Sequence, residues 1–147
     1  MEDLDYDDPA TEKQWIAQQH KAVLEYLESQ KVKHRGVPDQ PDWFLAPYVS
    51  IWRVMSMKYE GSNGWWAIAG DLPTDYISST DARDVRQAMR KFSNYWFETS
   101  EYMLKGEQPP NAKIGKPEDW PQLGDLLFRR ADILREWAED DELWVRG

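Results

Sequence analysis

The chain contains no cysteine, which excludes disulfides, thiolate metal ligation and a cysteine nucleophile. It has only two histidines, His20 and His34. A histidine-based metal site or catalytic triad needs such residues to converge with an acid, and nothing in this spacing requires that. Both read as structural. No apolar run approaches the roughly 18 residues of a spanning helix, and the acidic N-terminus has the wrong chemistry for a signal peptide. A cytoplasmic protein with no membrane contact is the expectation. The sequence also lacks a glycine-rich phosphate loop, a G-x-S-x-G elbow and an H-E-x-x-H helix. No catalytic residue, metal ligand or cofactor is therefore assigned.

Basic residues are missing from both ends. Residues 1–12 hold six acids and no base, and residues 136–142 hold five more acids, again with no base. The net charge of −9 belongs to these two runs, since the remaining sixteen acids face all eighteen lysines and arginines. Acidity confined to the ends does not make a nucleic-acid mimic, and there is no basic stripe for binding nucleic acid. What the chain has in excess is aromatic surface: nine tryptophans, seven tyrosines and four phenylalanines. Each ring can bury on the order of 150–250 Å², so a core built from rings is expected. At 147 residues the size prior is a single domain.

Residues 1–8 are too charged to bury and read as a disordered acidic lead-in to a domain spanning 9–147. Asp8-Pro9 supplies an N-cap followed by proline at the first helical position, with Thr11 and Gln14 as a competing capping box. A helix follows from about Pro9 to Gln30, with Trp15, Val23, Tyr26 and Leu27 on one face. Lys31 to Asp42 is a loop. Phe44 to Lys58 fits two patterns. Val49, Ile51, Met55, Met57 and Tyr59 alternate as in a strand, while Phe44, Tyr48, Trp52 and Met55 fit a helix almost as well. The turn Glu60–Gly64 and the apolar run Trp65–Ala69 favour an antiparallel β-hairpin. A hairpin needs cover, and two long helices supply it: about Asp81 to Lys105, and Pro117 to about Ala138. The predicted fold is thus α+β, a single domain with an N-terminal helix, an antiparallel hairpin and two long helices packed on it.

Three strings carry a family likeness: LAPYVSIWRV (Leu45 to Val54), GDLPTDYI (Gly70 to Ile77) and the helix opening DARDVRQAMRKFS. Over roughly Leu45 to Trp96 the chain resembles an uncharacterised family of short bacterial proteins, found mainly in gamma-proteobacteria. The resemblance implies a bacterial cytoplasmic protein and brings no activity with it.

Candidate residues fall in three places. Asp71 and Asp75, with Thr74 and Tyr76, lie in the predicted turn Gly70–Tyr76. Two carboxylates can share a proton, hold a hard cation or act as acid and base, but aspartates also shape turns by bonding their own backbone. Trp65 and Trp66 must point to opposite faces of a strand, so one ring is a candidate contact and the other a core residue. Arg83, Arg86 and Arg90 cluster on the second long helix, either as a patch for an anionic surface or as a solvated face met by the chain's own acidic ends. The reading favoured is a non-catalytic interaction domain of adaptor, inhibitor or immunity type, with an unidentified protein partner. The alternative is a small enzyme or ligand-binding domain at the Gly70–Tyr76 turn, using Asp71 and Asp75.

Overall fold

A computed structural model describes residues 5–110 and 116–144. Residues 1–4 of the predicted lead-in, 111–115 of the connector and Val145 of the apolar tail lie outside that range. The α+β class holds: an N-terminal helix, an antiparallel sheet, then two helices. Within this domain the chain forms two compact units, Met1–Val85 and Arg86–Gly147.

In the first unit, Asp5 to Asp8 form a turn from which α1 (Pro9–Ser29) departs. Asp8 caps it, accepting from the Ala10 N–H at 3.4 Å and the Thr11 hydroxyl at 3.2 Å. The other end closes with two backbone bonds, Lys31 N–H to Glu28 and Val32 N–H to Leu27. This closure puts Lys31 at φ 59, where glycine is usual, and leaves a cation at the negative end of the helix.

Four strands follow: β1 (Trp43–Leu45), β2 (Val49–Met55), β3 (Asn63–Gly70) and β4 (Leu72–Ser78). They pair in sequence order, every pair antiparallel. The expected hairpin is β2–β3, widened on both sides. β4 corrects the reading of Gly70–Tyr76 as one turn. The bend is confined to Gly70 and Asp71, and Thr74, Asp75 and Tyr76 stand on a strand. Pro73 disguised it, but among the described residues β4 pairs with β3 alone, and an edge strand tolerates a residue that cannot donate. On β2 the residues Val49 to Trp52 are all buried, which blurred the alternation and let the helical pattern compete. Met57 and Tyr59, expected to continue it inward, are 49% and 62% exposed. The strand has ended, and Ser56 Oγ turns the chain by accepting from the Lys58 and Tyr59 N–H groups.

One sheet face carries α1. Trp15, Ile16, Val23 and Leu27 pack with Trp52, Val54, Ala67 and Ala69. Trp52 is fully buried, and its indole N–H donates to Ser50 Oγ at 2.8 Å, which donates to the Ala69 carbonyl at 2.9 Å. His20 borders this cluster, its ring 5.3 Å from Trp52. Its Nε2 lies 2.8 Å from the Val37 carbonyl; a carbonyl only accepts, so Nε2 carries the proton. Trp66, on the opposite face, is 3% exposed and donates to the Ala82 carbonyl.

The second unit is built on α2 (Val85–Leu104) and α3 (Trp120–Glu139). α2 starts later than expected, because Ser78 caps a short 3₁₀ turn, Ser79–Asp81, ahead of it. Met89, Phe92, Trp96 and Met103 form its buried stripe. The helices run antiparallel. Gly124 of α3 lets them approach, since a Cβ there would lie 3.1 Å from Leu104 Cγ and 3.2 Å from Met103 Cβ. The buried Ser93 hydroxyl donates to the Ala131 carbonyl at 2.7 Å.

Gly70 is the tightest point of the first unit. Its φ is +151, and a Cβ would lie 2.3 Å from the Tyr48 carbonyl oxygen. Gly70→Ala combines a disfavoured backbone, about 1–3 kcal/mol, with a backbone clash that no side-chain motion relieves. Chemical denaturation should show a loss on the order of 3 kcal/mol or more. A loss below about 1 kcal/mol would mean that β3 and β4 are joined some other way.

Candidate functional site

Two of the sequence candidates, Asp71 and Trp65, lie toward opposite ends of β3. At the β3–β4 bend, Asp71 is exposed and its N–H donates to the Tyr48 carbonyl at 2.9 Å. Thr74, Asp75 and Tyr76 are half-buried on β4. Asp75 Oδ1 accepts the Tyr76 N–H at 2.8 Å, a local bond of the kind that stabilises extended and turn backbone. Tyr76 packs edge-on against Tyr26 of α1, with ring centroids 6.0 Å apart.

Tyr26 is a residue of this site that the sequence motifs do not single out. Burial, then the Asp75 charge, then Tyr76 push its phenol up from 10.0 to about 12. A phenol that keeps its proton so far above neutrality is a hydrogen-bond donor, poorly suited to act as a base. Its polar tip on an apolar helix face was the available signal, but its neighbours come some fifty positions later. Among the described residues, no group of three or more His, Cys, Asp or Glu side chains is placed to hold a metal ion.

At the other end of β3 lies a hollow of about 350 Å³, open to solvent. Ser56, Met57, Tyr59, Trp65, Ser78 and Thr80 are among the residues that line it. Trp65 also packs against the α1 core cluster, which fixes its ring. The Ser78 and Thr80 hydroxyls are 2.9 Å apart and bonded to each other. The two tryptophans therefore have different settings: Trp65 lines a concave surface, and Trp66 is a core residue with its N–H satisfied. Met57 and Tyr59 were missed as surface candidates, because the alternating pattern assigned them inward.

The arginines follow a third pattern. Arg83 is exposed ahead of α2. Arg86 donates to the Ala138 carbonyl at 2.6 Å and to Asp141 at 2.7 Å, with its guanidinium 5.7 Å from the centre of the Trp144 ring. Arg90 pairs with Glu139 at 2.7 Å. The acidic run at 136–142 gives α3 an unfavourable C-terminal charge in sequence. Arg86, 52 positions earlier, supplies the cation and one of the missing donors for its last carbonyls.

The Tyr26 environment has a pH signature. The folded state holds this proton more tightly than the unfolded chain, so the stabilisation is whole below about pH 10 and is lost as pH rises toward 12. Tyr26→Phe should remove that alkaline loss. Asp75→Asn should move the phenol only part of the way back, because burial is the larger cause. Ultraviolet titration of phenolate absorbance checks both, and a Tyr26 titration unchanged by Asp75→Asn would break the assignment.

Comparison with known proteins adds a family. A family model described as Domain of unknown function (DUF4826) matches residues 9–144, well beyond the Leu45 to Trp96 stretch that carried the likeness in sequence. No curated protein and no solved structure matches. With almost the whole chain, α1 through Trp144, inside the match, the protein belongs to the DUF4826 family.

Proposed function

We propose that this protein is a non-catalytic interaction domain, of adaptor, inhibitor or immunity type, that binds a protein partner at the Trp65 end of its sheet. One observation carries the reading: Met57 and Tyr59 stand 49% and 62% exposed at the edge of a hollow lined by Trp65. Methionine and aromatic residues are enriched at protein interfaces, and an anchored ring in a concave patch has the character of a binding hot spot. Side chains this large and apolar contribute little to a fold while they stay wet. The bacterial, cytoplasmic setting implied by the GDLPTDYI resemblance belongs to the same proposal.

The alternative, a site at the β3–β4 bend using Asp71 and Asp75, has less support. Asp75 is engaged with the backbone of Tyr76, and Tyr26 beside it holds its proton to about pH 12. Affinity capture of tagged protein from its native host separates the two. A partner recovered with wild type and with Asp75→Asn, but lost with Met57→Ser/Tyr59→Ser, is the expected result. A partner retained by the Met57/Tyr59 variant and lost with Asp75→Asn would move the site to the bend.

A further inference from the structure

The hollow at Trp65 has a cationic border that the sequence did not suggest. After α1, residues 34–36 run antiparallel beside the end of β2. The Arg35 N–H donates to Met55, the Met55 N–H donates to Gly36, and His34 bridges to Ser56. This places His34 and Arg35, the end of the KVKHR segment (31–35), against the loop that forms the hollow. The Arg35 guanidinium donates to the Met57 carbonyl at 3.2 Å, so one positive charge is fixed on the border itself. Lys58, between the two exposed apolar residues, lies with its ammonium 5.3 Å from the Tyr59 ring centre. Lys33 is exposed one residue before the His34 bridge.

The contrast with other arginines gives this border its meaning. Arg53 is held by Asp42 through two bonds of 2.9 and 2.7 Å, and Arg86 and Arg90 are met by Asp141 and Glu139. Among the described residues, no ion pair joins Lys33, Arg35 or Lys58 to a carboxylate. In a chain carrying nine net negative charges, Arg35 and Lys58 thus stand without carboxylate partners beside Met57 and Tyr59, two of its exposed large apolar residues. Surfaces of opposite sign steer and orient partners, and nucleic acid, with a charge on every phosphate, is repelled by the net charge of the chain more strongly than a short segment with a few carboxylates.

Resting on the interaction reading above, the geometry points to an acidic peptide segment of a partner protein as the occupant. One apolar or aromatic side chain of that segment enters the hollow against Met57, Tyr59 and Trp65. Its flanking carboxylates meet Arg35, Lys58 and Lys33. Arg35 already spends one donor on Met57, which orients the rest of its fork for a carboxylate.

A random dodecapeptide display library panned on the intact chain tests this. Peptides enriched in Asp and Glu around a single large apolar residue are expected. Their affinity should fall at least about 10-fold between roughly 50 and 500 mM salt, and at least about 10-fold again with Arg35→Glu/Lys58→Glu. That variant changes only exposed side chains, and an unaltered melting temperature confirms that it folds. Enriched peptides without acidic residues, lost with Tyr59→Ser but indifferent to Arg35→Glu/Lys58→Glu, would overturn the acidic partner and leave the interaction site standing. Peptides indifferent to Tyr59→Ser, or no enrichment at all, would overturn both. Equal or tighter binding of a single-stranded oligonucleotide or of anionic phosphatidylserine vesicles at the same residues would also overturn the assignment to a protein.

Discussion

The first unit depends on burying Trp52 completely without stranding its indole N–H. A large ring at the centre of a sheet face contributes much of the apolar area that α1 covers, but an unsatisfied N–H there costs about 1–3 kcal/mol. The residue two positions earlier on the same face answers this. Ser50 accepts from the indole and passes its own proton to the Ala69 carbonyl across the β2–β3 ladder. The relay couples side-chain packing to strand register, because a shift of β3 by one residue would remove the carbonyl and turn Ala67 and Ala69 away from α1. Everything functional proposed for this protein is mounted on that register. β2 ends at Met55 and β3 begins at Asn63, and the loop between them holds Met57, Lys58 and Tyr59.

Charge is sorted with the same economy. The acidic C-terminal run looks unfavourable in sequence, because carboxylates crowd the negative end of α3. In the structure Arg86 and Arg90 of α2 meet that end, so the run helps to close its own helix pair. Exposed pairs of this kind contribute only about 0–1 kcal/mol each, and their value here is to fix how α3 terminates. Beside the hollow, by contrast, no ion pair among the described residues ties Arg35 or Lys58 to a carboxylate.

How much of this could be read beforehand depended on whether a signal was local. α1 was legible from Asp8-Pro9 and a regular apolar stripe, and its observed ends fall within a residue of the expected ones. The helix now seen as α2 was legible too, though its start lay a few residues later than expected. β4 was not, because Pro73 and two aspartates are turn formers, and an edge position that excuses proline is a property of the whole sheet. Asp71 and Asp75 drew attention by their spacing, whereas Tyr26, Lys33 and Arg35 acquire their roles only from segments that pair with them later in the chain. The inward assignment of Met57 and Tyr59 failed because periodicity cannot show where a strand stops. Ser56, whose hydroxyl accepts from the Lys58 and Tyr59 N–H groups, is what stops it.

A double-mutant cycle on Ser50 and Trp52, read by equilibrium denaturation, addresses the central claim most directly. Ser50→Ala in the wild-type background leaves a buried indole donor unmet and should cost about 1–3 kcal/mol. In the Trp52→Phe background that donor is gone, and the same substitution should cost clearly less, giving a coupling energy of about 1 kcal/mol or more. Additive losses, with Ser50→Ala equally costly in both backgrounds, would contradict the account that this relay holds the sheet in register.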